Sequence, residues 1–214
     1  MEGWARVDEV DEPWKARAEE AERRFFGHDL YRLNLWRTGG SIAALARGES
    51  KPQELGKVEV TEREIRIGDA QFHTVVDVRR DRYSRWPRDV FAHGTGYIGT
   101  IRRRSGWGGR PSWVVVDGEG EAAAIIREAS LGAAALRNAV GVAVWAVKVV
   151  VTFGNTSGRI SEPRTDFLVS GAARQLGEIR GGHLLDLTAD PGRELDRRLA
   201  VAAFVSILAA ETGA

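Results

Sequence analysis

The stretch Leu199–Ala210, LAVAAFVSILAA, places twelve successive uncharged residues in one run of this 214-residue sequence. Asp190 and Pro191 precede it as residues that start helices, and Gly213 follows it as a residue that ends them. Its large apolar side chains fall on every face, which is typical of a membrane-spanning or a fully buried helix. Twelve residues rise about 18 Å, whereas a hydrocarbon core is about 30 Å thick. The sequence therefore predicts a helix over 191–212 that is buried inside the protein.

Much of the remaining sequence consists of short runs rich in Val, Ile, Tyr, Trp and Thr, separated by glycine-containing turns as in β-hairpins. One element recurs: Ile98–Arg102, Ala123–Arg127 and Leu176–Arg180 each follow an apolar run and a glycine-containing turn. Alternate residues of a strand share a face, so Gly177 and Ile179 lie on one side of their hairpin. We expect that side to pack closely against another element.

This pattern predicts strands over most of the chain and helices in two further segments. The predicted strands are 30–37, 41–47, 57–61, 63–67, 70–77, 82–86, 89–93, 97–103, 112–117, 122–127, 140–152, 165–169, 174–180 and 183–188. A surface helix is predicted over 13–25 and a second helix over 129–138, although the Ala-rich stretch 122–138 leaves strand and helix both open.

A helix that is buried on all sides needs a sheet wall about 10 Å from its axis, because the helix is itself about 10–12 Å across. Strands about 4.8 Å apart and tilted by about 40° reach that radius when about twelve of them close into a barrel. We therefore predict a mainly β (α+β) fold, a closed β-barrel around the buried C-terminal helix, plus a short N-terminal surface helix. The chain divides into an acidic helical arm, 1–28, and a barrel domain, 29–214, with its central helix over 191–212.

Six segments carry a resemblance to a known family. They are Tyr97–Ile101, Trp113–Asp117, Asp166–Val169, Gln175–Ile179, Leu184–Leu187 and Asp196–Ala203. In order and spacing they resemble the tubby C-terminal-like fold, especially its phospholipid scramblase and LURP-one-related branches. The resemblance implies a closed barrel of about twelve strands around a C-terminal helix. It also implies a non-enzymatic binding or regulatory module, since some relatives bind phosphoinositides or other anionic lipids and some are linked to lipid scrambling.

Composition excludes several classes of protein. The chain has no cysteine, which excludes disulfide scaffolds and cysteine zinc sites, and leaves no counterpart of the scramblases' lipidated cysteine cluster. The 31 Lys and Arg against 30 Asp and Glu give a net charge of +1, which argues against a dedicated nucleic-acid binder. No signal peptide and no transmembrane span is predicted. We expect a cytoplasmic protein, with a peripheral position at the membrane as a second location.

The segment Arg79–Arg110 concentrates positive charge, with nine arginines and two acids. Interleaved aromatic residues make it a candidate surface for an anionic lipid or a phosphorylated ligand. The candidate binding residues are Arg79, Arg80, Arg82, Arg85, Arg102, Arg103, Arg104 and Trp107. The alternative is a solvated face whose charge is balanced by the acidic arm.

The sequence favours a non-enzymatic protein. GxSxG, HExxH and paired-histidine metal spacings are missing, and we predict no catalytic residue, no metal site and no cofactor. The glycines of Gly94–Gly99 match GxGxxG but fit a hairpin turn. Two alternatives stay open: a protein-interaction module whose contact is the acidic N-terminal helix, and a hydrolase-type enzyme with His73, Asp77 or His93 at the barrel mouth.

Overall fold

The computed structural model describes residues 12–36, 38–46, 51–71, 73–80, 84, 86–105, 111–129 and 166–212. Within them the chain forms twelve strands and two helices. The strands are β1 (Leu30–Trp36), β2 (Gly39–Ala44), β3 (Gln53–Val60), β4 (Glu64–Asp69), β5 (Thr74–Arg80), β6 (Arg88–Ala92), β7 (Gly96–Ser105), β8 (Pro111–Asp117), β9 (Ala122–Glu128), β10 (Phe167–Ser170), β11 (Gln175–Arg180) and β12 (Leu184–Asp186). The helices are α1 (Glu12–Phe26) and α2 (Arg197–Thr212).

The twelve strands form one closed antiparallel barrel in which each strand pairs with its neighbours in the sequence. The ring closes where β1 pairs with β12, with Leu30 opposite Asp186 and Arg32 opposite Leu184. Closure leaves no exposed sheet edge within this ring. The predicted barrel of about twelve strands is thereby confirmed.

Helix α2 fills the barrel. Every residue from Leu199 to Ala209 is buried, and Phe204 and Ile207 are fully shielded from solvent. The wall approaches this helix closely at Gly99 of β7, where an added Cβ would lie 3.0 Å from Cδ2 of Leu199. At Gly99 the small residue of the hairpin therefore gives room to the helix. The prediction of a fully buried helix is confirmed.

The buried helix begins later than predicted, at Arg197 rather than near residue 191. Asp196 is the N-cap, because its Oδ1 accepts the backbone N–H of Arg198 at 2.8 Å. Asp190 instead organises the preceding turns, since its carboxylate accepts the N–H groups of Glu194 and Leu195. Neither helix of the described residues is both long and apolar enough to cross a membrane.

The structure also corrects several strand predictions. The segment predicted over 82–86 is not a strand at its described residues, Ser84 and Trp86. The strand predicted over 70–77 begins only at Thr74, because the Asp69 carboxylate accepts the N–H groups of Gln71 and His73 and holds a turn there. The predicted helix over 129–138, apart from Ala129, and the predicted strand over 140–152 lie outside the described residues.

Helix α1 lies against the end of the barrel where α2 begins, which we call the upper end. Its Phe25 and Phe26 are buried in the common core. Its Glu22 accepts a hydrogen bond from Arg198 at 2.7 Å. We call the opposite end, where α2 ends and Leu208 lies near Gly182, the lower end. The N-terminal helix predicted over 13–25 is therefore present, and it packs on the barrel.

Candidate functional site

The barrel brings the described candidate arginines to its lower end. β5 and β7 both run from the upper to the lower end, so Arg79 and Arg80 finish β5 while Arg102–Arg104 lie close to the end of β7. Strand β6 lies between them, with Arg88 opposite both Arg80 and Ile101. Arg82, Arg85 and Trp107 lie outside the described residues.

The two arginines of β5 are already engaged by acidic or carbonyl oxygens. Arg79 lies 3.1 Å from Asp77 and 3.5 Å from Glu64, and its guanidinium sits 4.9 Å from the centre of the Phe91 ring. Arg80 donates a hydrogen bond to the backbone carbonyl of Glu62. Both groups therefore belong to local ion-pair and turn contacts, which reduces their capacity to bind an external anion.

The three arginines of β7 differ from those of β5. Arg102, Arg103 and Arg104 are exposed, and their guanidinium groups have no partner among the residues that the structure describes. Alternation along β7 places Ile101 in the core and Arg102 and Arg104 on the outer face. Arg103 has the inward parity and lies opposite the buried Trp113, at the lower rim of the barrel.

One further arginine, which the sequence analysis did not select, joins this outer face. Arg127 of β9 is exposed and also has no partner within the described part of the chain. Ser112 of β8 lies opposite both Arg104 and Arg127, so the three residues form one row across three strands. The recurring Ile-Arg ending of the hairpins was the signal that could have found it, because Arg127 and Arg102 close the same repeat.

Apolar side chains complete this surface. Val114 lies opposite Arg102 and Ile125, and Leu168 of β10 lies opposite Arg127. All three apolar side chains are half-buried, and strand alternation turns them away from the core. We call this surface the β7–β10 wall, and its members are Arg102, Arg104, Ser112, Val114, Ile125, Arg127 and Leu168. None of these members is acidic, and Glu178, which lies opposite Leu168 on β11, accepts a hydrogen bond from Arg180.

The same repeat gives a contrasting arginine one hairpin later. Arg180 of β11 donates hydrogen bonds to Glu178 at 2.5 Å and to Asp186 at 2.7 Å. The hydrogen bond that Arg180 donates to Glu178, together with the charge of both carboxylates, raises the pKa of Arg180. Arg102, Arg127 and Arg180 hold equivalent positions in the repeat. Arg180 is paired with carboxylates, whereas the guanidinium groups of Arg102 and Arg127 have no partner within the described residues.

The aromatic residues of the basic segment that the structure describes do not lie on this wall. Trp86 packs against the core, with its ring centre 6.2 Å from that of the buried Trp113, and its ring also faces the guanidinium of Arg88 at 4.8 Å. Tyr97 lies near the upper end, where its hydroxyl is 2.7 Å from Thr100 Oγ1. Trp86 thus belongs to the edge of the core, and Tyr97 lies at the start of β7, away from the wall.

The residues considered for a hydrolase fall in two places. His73 Nδ1 lies 3.2 Å from Asp69 Oδ2, and the His73 side chain is 76 % exposed. His73 and His93 line the same cavity at the upper end, whereas Asp77 is on the outer face beside Arg79. Within the described residues the His73 ring contacts the Asp69 carboxylate, and no serine or threonine hydroxyl is bonded to it.

The acidic helix is attached to the barrel through some of its side chains, while Glu19, Glu20, Arg23 and Arg24 are exposed. Glu22 is bonded to Arg198, and Gly27 just beyond α1 accepts a hydrogen bond from Arg193. Its use as a protein-interaction surface stays a prediction. Over the described part of the chain, no three His, Asp or Glu side chains are grouped to hold a metal ion.

No protein-family model, no curated protein and no solved structure matches this chain. The resemblance to the tubby C-terminal-like fold therefore stays a prediction, while the barrel with its internal helix is established from the structure itself.

Proposed function

We propose that this chain is a non-enzymatic binding module whose β7–β10 wall docks on the phosphate groups of an anionic phospholipid surface. The proposal rests on one observation: arginines without a partner in the described residues and apolar side chains lie next to each other on one outer face of the barrel. Arg102, Arg104 and Arg127 supply the charge, and their guanidinium groups have no partner in the described residues.

The spacing of these arginines suits phosphate. Arg104 and Arg127 lie on strands separated by one strand, so their Cα atoms are about 10 Å apart. A guanidinium donates two parallel hydrogen bonds to a phosphate group, and its long side chain lets two such groups approach one anion or neighbouring anions. Ser112 lies between them and adds a hydroxyl to the row.

The apolar members favour a membrane surface over a dissolved anion. Val114, Ile125 and Leu168 adjoin on three successive strands, and they add apolar area beside the charges. Basic residues near an anionic leaflet contribute about 1 kcal/mol each, and buried apolar area adds to that attraction. The wall therefore combines the two contributions that peripheral membrane binding uses.

The test is flotation of the chain with phosphatidylcholine vesicles, with and without phosphatidylserine, at low and high salt. We expect recovery with the anionic vesicles alone, and less of it at high salt, because exposed charges are screened. The Arg104→Gln/Arg127→Gln variant should lose about 2 kcal/mol, a fall of about thirtyfold in vesicle affinity. Equal recovery on neutral and anionic vesicles would contradict the proposal.

A matched control removes the same charge elsewhere. Arg23 and Arg66 are exposed on α1 and β4, and the Arg23→Gln/Arg66→Gln variant should float almost like the parent chain. If both double variants fall equally, net charge rather than the wall governs binding, and the proposal fails.

A second experiment distinguishes binding to a membrane from binding to free phosphate. The Val114→Ser/Ile125→Ser variant should bind anionic vesicles less tightly, while its affinity for inorganic phosphate stays unchanged. If these two substitutions leave vesicle binding unaltered, the chain binds the phosphate groups alone. The membrane part of the proposal is then wrong.

A further inference from the structure

A second surface feature lies at the opposite end of the barrel. A cavity of about 500 Å³ is enclosed by the last turns of α1, the start of β3, the β4–β5 turn and the start of β5. This is within the usual size range of small-molecule sites. Its lining includes Ala21, which is half-buried, Ala70, which is exposed, and the edges of Leu55 and Val75, which are 6 % and 7 % exposed.

The charges along the cavity are mostly negative. Glu20, Glu22, Glu54 and Asp69 contribute four carboxylates to the described lining, against the single guanidinium of Arg24. Glu22 and Asp69 are occupied within the fold, by Arg198 at 2.7 Å and by His73 at 3.2 Å respectively. The remaining two carboxylates are the ones that a ligand meets.

Glu20 and Glu54 come from α1 and β3, so they reach the same cavity from two separate elements. Both side chains are exposed, and neither has a partner among the residues the structure describes. An ammonium group is the complement of such carboxylates, since it brings both positive charge and N–H donors.

We infer that this cavity binds a small amphipathic organic cation, with its ammonium group at Glu20 and Glu54 and its apolar body against Ala21, Ala70 and the edges of Leu55 and Val75. The site lies on the side of α1, β3 and β5, whereas the β7–β10 wall lies on other strands near the lower end. The inference is therefore independent of the proposed membrane contact, and either can fail without the other.

The test compares two probes with the same apolar body and opposite charge, phenylbutylammonium and phenylbutyrate, by titration calorimetry on the whole chain. We expect the ammonium probe to bind and the carboxylate probe to bind at least about tenfold more weakly. The Glu20→Gln/Glu54→Gln variant should bind the ammonium probe about tenfold less tightly, and its unfolding midpoint in urea should stay close to that of the parent.

The control variant, Glu119→Gln/Glu121→Gln, removes the same charge from the exposed β8–β9 turn and should keep the parent affinity. The inference is overturned if the ammonium probe does not bind, if the two probes bind equally, or if both double variants reduce its affinity to the same extent.

Discussion

Asp190 and Arg197 form an ion pair that is closed off from solvent at the upper end of the barrel. Oδ2 of Asp190 lies 2.8 Å from Nη1 of Arg197, and the two side chains are 0 % and 4 % exposed. Arg197 also bonds the Asp190 carbonyl at 2.7 Å and Asp29 at 2.9 Å. The pair therefore joins the start of α2 to the segment before β1, two parts of the chain that are far apart in sequence.

Removal of one partner should be costly, because it leaves an uncompensated charge in the core. We expect Arg197→Met to lower the free energy of unfolding by about 3–5 kcal/mol, measured by urea denaturation. Arg174 reaches the same carboxylate from outside at 3.3 Å and is 40 % exposed, so Arg174→Met should cost about 1 kcal/mol or less. Equal losses for both variants would show that burial of the pair does not matter.

The same pair predicts a dependence of stability on pH. Burial acts to raise the pKa of Asp190, but the N–H of Leu195, the Arg197 guanidinium and the N–H of Glu194 outweigh it and hold the pKa below its ordinary value. A lowered pKa contributes stability that is present above the ordinary carboxyl value, about 3.9, and is lost as pH falls through the folded value.

The Asp190→Asn variant tests this by comparison with the parent chain. The difference in free energy of unfolding between the two should be largest near neutral pH and should shrink as the solution is acidified below about pH 4. Urea titrations at a series of pH values measure it. A difference that stays constant down to acidic pH would mean that the Asp190 charge contributes nothing to folding.

Gly177 is a position where the wall of the barrel leaves no room for a side chain. An added Cβ would collide with the carbonyl oxygen of Asp186 on β12 and would lie 2.8 Å from Cδ2 of Leu187. Gly177→Ala should therefore destabilise the fold by about 1–3 kcal/mol through forced separation of β11 and β12. Gly192, where no atom lies within 4 Å, is the control, and Gly192→Ala should shift stability by about 0.5 kcal/mol at most.

Ser206 places a hydroxyl within the otherwise apolar part of α2. It is fully buried, and its Oγ has no hydrogen-bond partner in the described residues. Such a hydroxyl costs about 1–3 kcal/mol, so Ser206→Ala should raise the free energy of unfolding by an amount in that range. The reverse change one turn earlier, Ala203→Ser, should lower it. Thermal and urea unfolding measure both, and a destabilised Ser206→Ala would show that the hydroxyl is satisfied.

The fold was predictable because its strongest signals are local. The uncharged run Leu199–Ala210 identifies a buried helix by itself, and the helix diameter then limits the barrel that can surround it. Small residues such as Gly99 and Gly177 indicated a close approach, which the structure locates at Leu199 and at β12 respectively. Strand ends were less accurate, since turns such as the one at Asp69 depend on side-chain hydrogen bonds that strand propensity does not include.

The candidate site was only partly predictable, because it depends on which strands become neighbours. The sequence predicts that Arg79 is a free cation, but the pairing of β5 with β4 puts Glu64 directly opposite it. Arg127 lies outside the arginine-rich segment, yet the pairing of β7, β8 and β9 brings it into line with Arg104. The charge counted along the chain therefore overestimated the free positive charge of β5 and missed the contribution of Arg127 on β9.

The order of elements has a consequence for synthesis of the protein on the ribosome. All twelve strands precede α2, so inner residues such as Ile42, Ile67 and Val78 leave the ribosome before the helix that covers them. At about 5–20 residues per second, the first strands wait on the order of ten seconds for their core. During that interval the nascent chain exposes a half-built apolar interior, a state that is prone to aggregation until α2 has been translated.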